Sequence, residues 1–325
     1  MDISIDLHLH FDGSLSVFTV KKLAKMQGIA LPDDNILREM LTVGDGCRDL
    51  GEYLTKFDFP LSLLQTREAI SEAMYMLCQE LCTEGTIYAE IRFAPQLHLS
   101  QGLTQNQVVC AAIQGFRRSE LMGGIILCCM RGDNNHTQNI ETVAVAEKFL
   151  GKGVLALDLA GNEKAYPNES FADIFAMARG KGIPYTIHAG EAAGADSVMS
   201  ALKMGAQRIG HGVRALEDMS VVKLLADTKT PIEICPTSNL NTAIFSDISQ
   251  YPLRQLIDSG VIVTVNSDNR SVSNTTAKKE IELLISEFKL TENEVKQLLL
   301  NSANAAFCDA QTKKHLLQTI KNAQL

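Results

Sequence analysis

The sequence predicts an α/β chain folded as a closed (β/α)8 barrel, one domain over residues 1–325, with extra helices after the first strand and at the C-terminus. Three observations carry this. Eight short apolar runs are spaced along the chain and separated by stretches of helical period, the pattern of repeated βα units. The 325 residues with 46% hydrophobic content can bury a large core, and barrels of this kind reach that length as one domain. Polar residues cluster where the apolar runs stop, as expected where all strand ends converge on one mouth. An open doubly wound sheet is the competing architecture, and the position of those polar residues separates the two.

The first run, Ile3 to Leu9, alternates apolar and polar residues, the period of a strand. The second, Thr86 to Phe93, places Ile87, Ala89 and Ile91 on one face. Gly124 to Met130 is apolar throughout, and Val154 to Leu159 is the fourth run. Pro184 to Ile187 leads into a histidine, and Gln207 to Ile209 is very short. Pro231 to Ile234 and Val261 to Val265 complete the eight. Helical spacing runs over Ala69 to Leu81, Gln107 to Leu121, Ile140 to Phe149, Phe171 to Ala178 and Asp218 to Ala226. Residues 10 to 85 exceed one crossover and imply further helices, and Ala277 to Phe288 and Glu292 to Ala306 read as closing helices.

Net charge is −8. This argues against a broad electrostatic grip on nucleic acid or anionic membranes, but not against a small uncharged ligand. No apolar run approaches the roughly 20 residues that cross a bilayer. The opening Met1-Asp2-Ile3-Ser4-Ile5-Asp6 lacks the basic and apolar blocks of a secretion signal. The eight cysteines include no CxxC pair and read as small hydrophobes, which suits a reducing cytoplasm.

The first run ends Asp6-Leu7-His8-Leu9-His10. Strand alternation puts both imidazoles on one face, where they can share a metal. An HxH pair alone is explained equally well by two core histidines. The fifth run ends at Ile187-His188-Ala189-Gly190-Glu191, the sixth at Gly210-His211-Gly212 and the eighth at Asn266-Ser267-Asp268-Asn269. In a barrel, His8, His10, His188 and Asp268 can meet at one point. Imidazole nitrogens with a carboxylate oxygen suit one divalent ion, zinc or a neighbouring transition metal. A position left open for water makes such a site catalytic. Taken singly, Asp268 reads as a cap and Glu191 as a solvated acid. The argument for a site is that four of the seven histidines and both acids fall at strand ends. His98, His136 and His315 lie elsewhere and read as hydrogen-bonded or exposed. Gly190, Gly210, Gly212 and Gly161 flank these positions, where backbone either approaches a ligand or makes an ordinary turn.

The chain carries His8-Leu9-His10-Phe11-Asp12-Gly13-Ser14-Leu15, Glu90-Ile91-Arg92-Phe93-Ala94-Pro95, Asp158-Leu159-Ala160-Gly161-Asn162-Glu163, His188-Ala189-Gly190-Glu191, Gly210-His211-Gly212, Cys235-Pro236-Thr237-Ser238-Asn239 and Asn266-Ser267-Asp268-Asn269. In these segments and their order it resembles the adenosine deaminase family of the metal-dependent amidohydrolase superfamily. The resemblance implies one Zn2+ per chain on His8, His10, His188 and Asp268. It implies hydrolytic deamination of adenosine, and of 2′-deoxyadenosine, to inosine and ammonia. Glu191 would protonate purine N1, His211 would orient the attacking water, and Asp268 would take that water's proton. Substrate contacts would come from His10, from Asp12 at the sugar 5′ hydroxyl, from the Gly161 N–H at purine N3, and from Asn269. Phe57 and Phe59 would lie in an apolar lid, although helix packing explains them as well.

Asn269 departs from the commonest pattern, in which a second consecutive aspartate contacts purine N7. An amide donates to N7 directly, whereas a carboxylate must first be protonated. Deaminases of cytidine and nucleic-acid bases use HxE with PCxxC, and Cys235-Pro236-Thr237-Ser238 has no second cysteine. Two alternatives stay open. One is a deaminase of another 6-aminopurine, adenine or methylated AMP, although Asp12 favours a sugar hydroxyl. The other is a non-catalytic nucleoside-binding or signalling relative, which would have no use for a proton donor such as Glu191.

Overall fold

The computed structural model describes residues 3–44, 47 and 50–323. Met1 and Asp2, part of the N-terminal stretch read above, lie outside the described residues. The strands are β1 (Ser4–His10), β2 (Thr86–Phe93), β3 (Met122–Met130), β4 (Val154–Ala160), β5 (Thr186–Ala189), β6 (Arg208–His211), β7 (Ile232–Ile234) and β8 (Val263–Val265). They pair in parallel as two four-stranded sheets, β1-β2-β3-β4 and β5-β6-β7-β8. Bridges join the sheets at both seams, Leu157 with Tyr185 and Leu9 with Asp268. At the second seam His10 N–H donates to Asp268 O and Asp268 N–H to His8 O, both at 2.7 Å. The ring is the predicted (β/α)8 barrel.

Among the described residues, five α-helices separate β1 from β2: α1 (Val17–Gln27), α2 (Asp34–Leu41), α3 (Leu50–Leu54), α4 (Asp58–Leu63) and α5 (Arg67–Thr83). One helix follows each of β2 to β6: α6 (Gln105–Arg117), α7 (His136–Phe149), α8 (Ala172–Gly180), α9 (Ala195–Met204) and α10 (Met219–Thr228). After β7 come α11 (Pro236–Asn241) and α12 (Leu253–Asp258), and after β8 come α13 (Ala277–Phe288), α14 (Glu292–Ala305) and α15 (Ala310–Asn322). Side chains cap these starts. Ser16 caps α1, Thr66 caps α5, and reciprocal boxes of Thr104 with Gln107 and Thr291 with Glu294 open α6 and α14.

The boundaries differ from expectation in instructive ways. β5 and β6 run on through His188 and His211 rather than stopping with their apolar runs, because the inward polar side chains find partners inside the barrel. α6 ends at Arg117, four residues before the expected Leu121. Period alone leaves out α9, α11, α12 and α15. In α15 only Leu316 and Ile320 are buried, and the rest of the helix is largely polar.

Strand alternation creates two different interiors. Outward residues such as Ile5, Leu7 and Leu9 on β1, Ile91 and Phe93 on β2, and Leu157 and Leu159 on β4 join the helices in one apolar core. The inward face is charged. Asp6, His8, Glu90, Arg92, Asp158 and Glu233 are all fully buried there. The core is thus an annulus around a polar axis, and that axis rises to the mouth where the site lies.

Candidate active site

The mouth gathers side chains from the ends of β1, β5, β6 and β8. Ligand-capable atoms of His8, His188, His211 and Asp268 lie within 4.8 Å of one another, and all four residues are buried. His10 joins them. Its Nε2 is 3.3 Å from His188 Nε2 and 3.4 Å from Asp268 Oδ1, and His8 Nε2 is 3.4 Å from the same oxygen. Donor atoms held at about 2.0–2.1 Å around a tetrahedral ion sit roughly 3.3–3.4 Å apart, so these spacings match tetrahedral edges. His8 Nε2 is also buried without any hydrogen-bond partner, which leaves it unpaired in the cluster. The donor set fits a metal ion.

The far side of each ring fixes which nitrogen is available. His8 Nδ1 meets Glu233 Oε2 at 2.8 Å, and His188 Nδ1 meets Asp158 Oδ2 at 2.9 Å. A carboxylate at Nδ1 holds the proton there and leaves Nε2 as a lone pair, the arrangement found behind metal-ligating histidines. His211 is held differently. The Tyr251 hydroxyl donates to Asn239 Oδ1 at 2.9 Å, so the amide turns its NH2 toward His211 Nδ1 at 3.1 Å. That nitrogen then accepts, and the ring proton sits on Nε2, which faces Glu191 Oε2 at 3.6 Å. His211 is therefore built as a donor, whereas His8 and His188 are built as ligands.

Local backbone is strained to place two of these groups. His211 has φ 60° and Asp268 φ 58°, in the left-handed region that non-glycine residues avoid. At Asp268 the paired backbone bonds to β1 offset the strain. Gly210 is required by close approach. A Cβ there would sit 3.1 Å from His188 Cα and 3.2 Å from His8 Cε1, wedging the two residues apart.

Burial sets the charge states. Burial first, then the charges of Asp268 and Glu163, pushes the Glu191 carboxyl well above its usual range. Burial also holds His10 and His211 well below the usual imidazole value, so both are neutral. Burial would raise Asp268, but its close contacts with the surrounding imidazoles, His8 first, hold it well below the carboxylate range. Asp12 is pushed by burial up to about 6, and its Oδ1 has no hydrogen-bond partner.

These groups line one pocket. His10, Asp12, Gly161, His188, Glu191, His211, Asp268 and Asn269 form its polar side. Leu50, Tyr53, Leu54, Phe57, Leu61 and Leu97 form its apolar side. Gly161 has φ 103°, a conformation that glycine adopts freely. The Asn269 amide packs against Gly13, where a Cβ would lie 2.0 Å from Oδ1. Phe57 lines the pocket as expected. Phe59 does not, because its ring packs against the main core instead. His98 is buried and bonded to Leu64 O, His136 pairs with Asp173, and His315 is exposed.

Several residues that shape the site have no role assigned from the sequence, although Arg92, Asp158, Glu163 and Asn239 lie within the quoted segments. Glu163 accepts from the backbone N–H groups of Gly190, Glu191 and Ala193 and from Ser197 Oγ, clamping the loop that carries Glu191. Glu233, Asp158, Arg92, Asn239 and Tyr251 belong with it. The available signal was a charged residue at the inward position of an otherwise apolar strand, as in Val154-Leu155-Ala156-Leu157-Asp158.

Known proteins give the same picture over the full length. A family model described as adenosine deaminase matches residues 4–323. An adenosine deaminase of Haemophilus ducreyi is 47% identical, covering 98% of this chain and 95% of its own. One of Enterococcus faecalis is 39% identical, covering 99% and 96%. Among solved structures, an adenine deaminase from Arthrobacter aurescens superposes with TM-score 0.88 at 25% identity, covering 99% of this chain and 98% of its own. An Arabidopsis N6-mAMP deaminase, at TM-score 0.87, 24% identity and the same coverage, shares the fold. On the site geometry and these full-length matches, the chain belongs to the adenosine deaminase family.

Proposed function

We propose that this chain binds one zinc ion through His8, His10, His188 and Asp268 and hydrolyses adenosine, and 2′-deoxyadenosine, to inosine and ammonia. The observation that carries the reading is a raised, buried Glu191 carboxyl beside a tetrahedrally spaced His and Asp cluster in one pocket. The ion, when bound, acts as a Lewis acid that lowers the pKa of water from 15.7 toward about 7.

The chain's own residues do the rest. Asp268, ionised at neutral pH, accepts the proton of the attacking water. His211 presents its Nε2–H to orient that water and to stabilise the charge that develops at C6. Glu191, kept protonated, gives its proton to purine N1 as the C6–O bond forms. The C6–N bond then breaks, the amino group leaves as ammonia with the proton held by Asp268, and the C6 hydroxyl gives its proton back to the Glu191 carboxylate as the C6=O bond forms. The Gly161 N–H donates to N3 and the Asn269 amide to N7, with no protonation needed at the latter. His10 borders the bound purine, and the unpartnered Asp12 Oδ1 accepts the sugar 5′ hydroxyl.

A nucleoside fits better than a nucleotide. The described pocket lining contains no lysine or arginine, and a 5′ phosphate would meet the Asp12 carboxylate. An ultraviolet assay across adenosine, 2′-deoxyadenosine, adenine, AMP and N6-methyl-AMP tests this, with the two nucleosides expected to turn over fastest. Tight adenosine binding without ammonia release would sink the reading in favour of a non-catalytic binder. No helix among the described residues is long and apolar enough to cross a membrane. A cytoplasmic, one-domain enzyme acting on a small purine is the accompanying proposal.

A further inference from the structure

Arg92 stands on the inner face of β2, fully buried below the histidines. Its Nη1 donates to Asp158 Oδ2 at 2.9 Å, and its Nη2 donates to Glu233 Oε2 at 2.9 Å and to Leu7 O at 2.6 Å. These are the same two carboxylate oxygens that hold the histidines. Asp158 Oδ2 is 2.9 Å from His188 Nδ1, and Glu233 Oε2 is 2.8 Å from His8 Nδ1. One guanidinium thus sits between two carboxylate–imidazole pairs, each of which joins one sheet to the other. The bond to Leu7 O also pins β1 one residue before His8.

We propose that Arg92 is the positioning residue of the metal centre, setting His8 and His188 as one coupled unit. The proposal rests on the reading that these two histidines hold the ion. The planar guanidinium offers several donors in a fixed fork, so one side chain fixes two carboxylates at a set separation. A lysine brings the same charge but only a point donor. Without Arg92, Asp158 loses its guanidinium partner, and Glu233 keeps Arg208 on Oε1 but loses the cation at Oε2, the oxygen that holds His8. Each then loses the orientation that keeps the proton on Nδ1 and the lone pair on Nε2. The effect falls on metal affinity and geometry, because Arg92 itself touches neither ion nor substrate.

The test measures zinc affinity by chelator competition and the visible spectrum of the cobalt-substituted protein, which reports ligand geometry. The variants are Arg92→Gln, Arg92→Lys and, as a control for lost stability alone, Leu316→Ala in the remote helix α15. Arg92→Gln is expected to weaken zinc binding about 10–100-fold, as outer partners of metal ligands typically do. Its cobalt spectrum should shift, and Arg92→Lys should fall between it and the wild type. Leu316→Ala should lower the melting temperature and leave affinity and spectrum unchanged. Arg92→Gln binding zinc as tightly as Leu316→Ala overturns the proposal. If Arg92→Gln does not fold, Asp158→Asn and Glu233→Gln provide a cycle that leaves Arg92 in place. Coupling through Arg92 predicts a double variant departing from the product of the two single effects by about threefold or more. Simple multiplication overturns the proposal. Wild-type protein that takes up no zinc overturns the metal reading itself, an outcome distinct from both.

Discussion

The two sides of the pocket are built by opposite means. On the polar side, His8, His10, His188, His211 and Asp268 stand on strand ends, and buried carboxylates or an amide fix His8, His188 and His211 from behind. On the apolar side, Leu50, Leu54, Phe57 and Leu61 come from α3, α4 and the turn Thr55–Phe57, helices of five and six residues joined by a single 3-10 turn. Helices that short have no stability of their own. Part of this wall packs on a small separate cluster of Val43, Tyr53 and Val272, tied down by the Tyr53 hydroxyl bonded to Ser273 Oγ at 2.8 Å. The difference teaches a division of labour. Groups that must meet within tenths of an ångström are anchored in the barrel, whereas groups that only exclude water lie on adaptable helices.

That division can be broken from either side. The largest effect is expected from His188→Ala, which should weaken zinc binding by more than about 100-fold, beyond the 10–100-fold cost of outer-partner changes, and abolish turnover. Unchanged zinc by elemental analysis would contradict the ligand set. Glu191→Gln should lower kcat about 100- to 10,000-fold with zinc content intact, read by ammonia release. Because Glu191 works protonated and its pKa is raised, kcat should hold on the acid side and fall as pH rises through that pKa. A rate that climbs steadily with pH would remove it as the acid.

Asp12→Ala should raise KM for adenosine about 10- to 100-fold, the worth of a hydrogen bond to a charged group, and affect 5′-deoxyadenosine much less. An equal rise for both compounds would place Asp12 elsewhere. Phe57→Ala should raise KM only about 3- to 10-fold through lost apolar contact, with kcat and zinc unchanged. A large fall in kcat there would mean that the apolar wall takes part in aligning the purine.

The smallest effect concerns a buried acid on a helix rather than on the barrel's polar axis. Glu280 on α13 is buried, and burial holds its carboxyl up to about 7 despite hydrogen bonds from Thr237 and Thr275. Its ordinary value, that of the unfolded chain, is 4.5. Between those values the folded chain keeps a proton that the unfolded chain has released, so stability falls as pH rises through this window. Glu280→Gln should flatten that slope in urea unfolding measured at successive pH values. An unchanged slope would show that Glu280 is ionised in the folded chain.

Much of this is legible in the amino-acid sequence. The apolar runs placed all eight strands, and β1 and β2 were located to within a residue, because a seven- or eight-residue alternation is a strong local signal. The HxH spacing put His8 and His10 on one face. Strand-end placement brought His188, His211, Glu191 and Asp268 to the same mouth. The weaker elements were those whose hydrophobicity is sparse or short, such as α15 and β6. Phe59 was placed in the lid because sequence proximity to Phe57 cannot tell which face of a turn each ring takes.

The sequence by itself determined the barrel and the ligand-bearing residue types at its mouth, because both follow from periods of two and 3.6 that are readable within a dozen residues. Only the tertiary structure decided how each ring is held. Glu233 lies 225 residues from His8, and Arg92 lies 141 residues from Glu233. No local pattern links such positions. They become partners only when the eight strands close and their inward side chains share one axis. It is that closure which makes His8 and His188 lone-pair donors and His211 a proton donor, although all three read alike as histidines at the ends of strands.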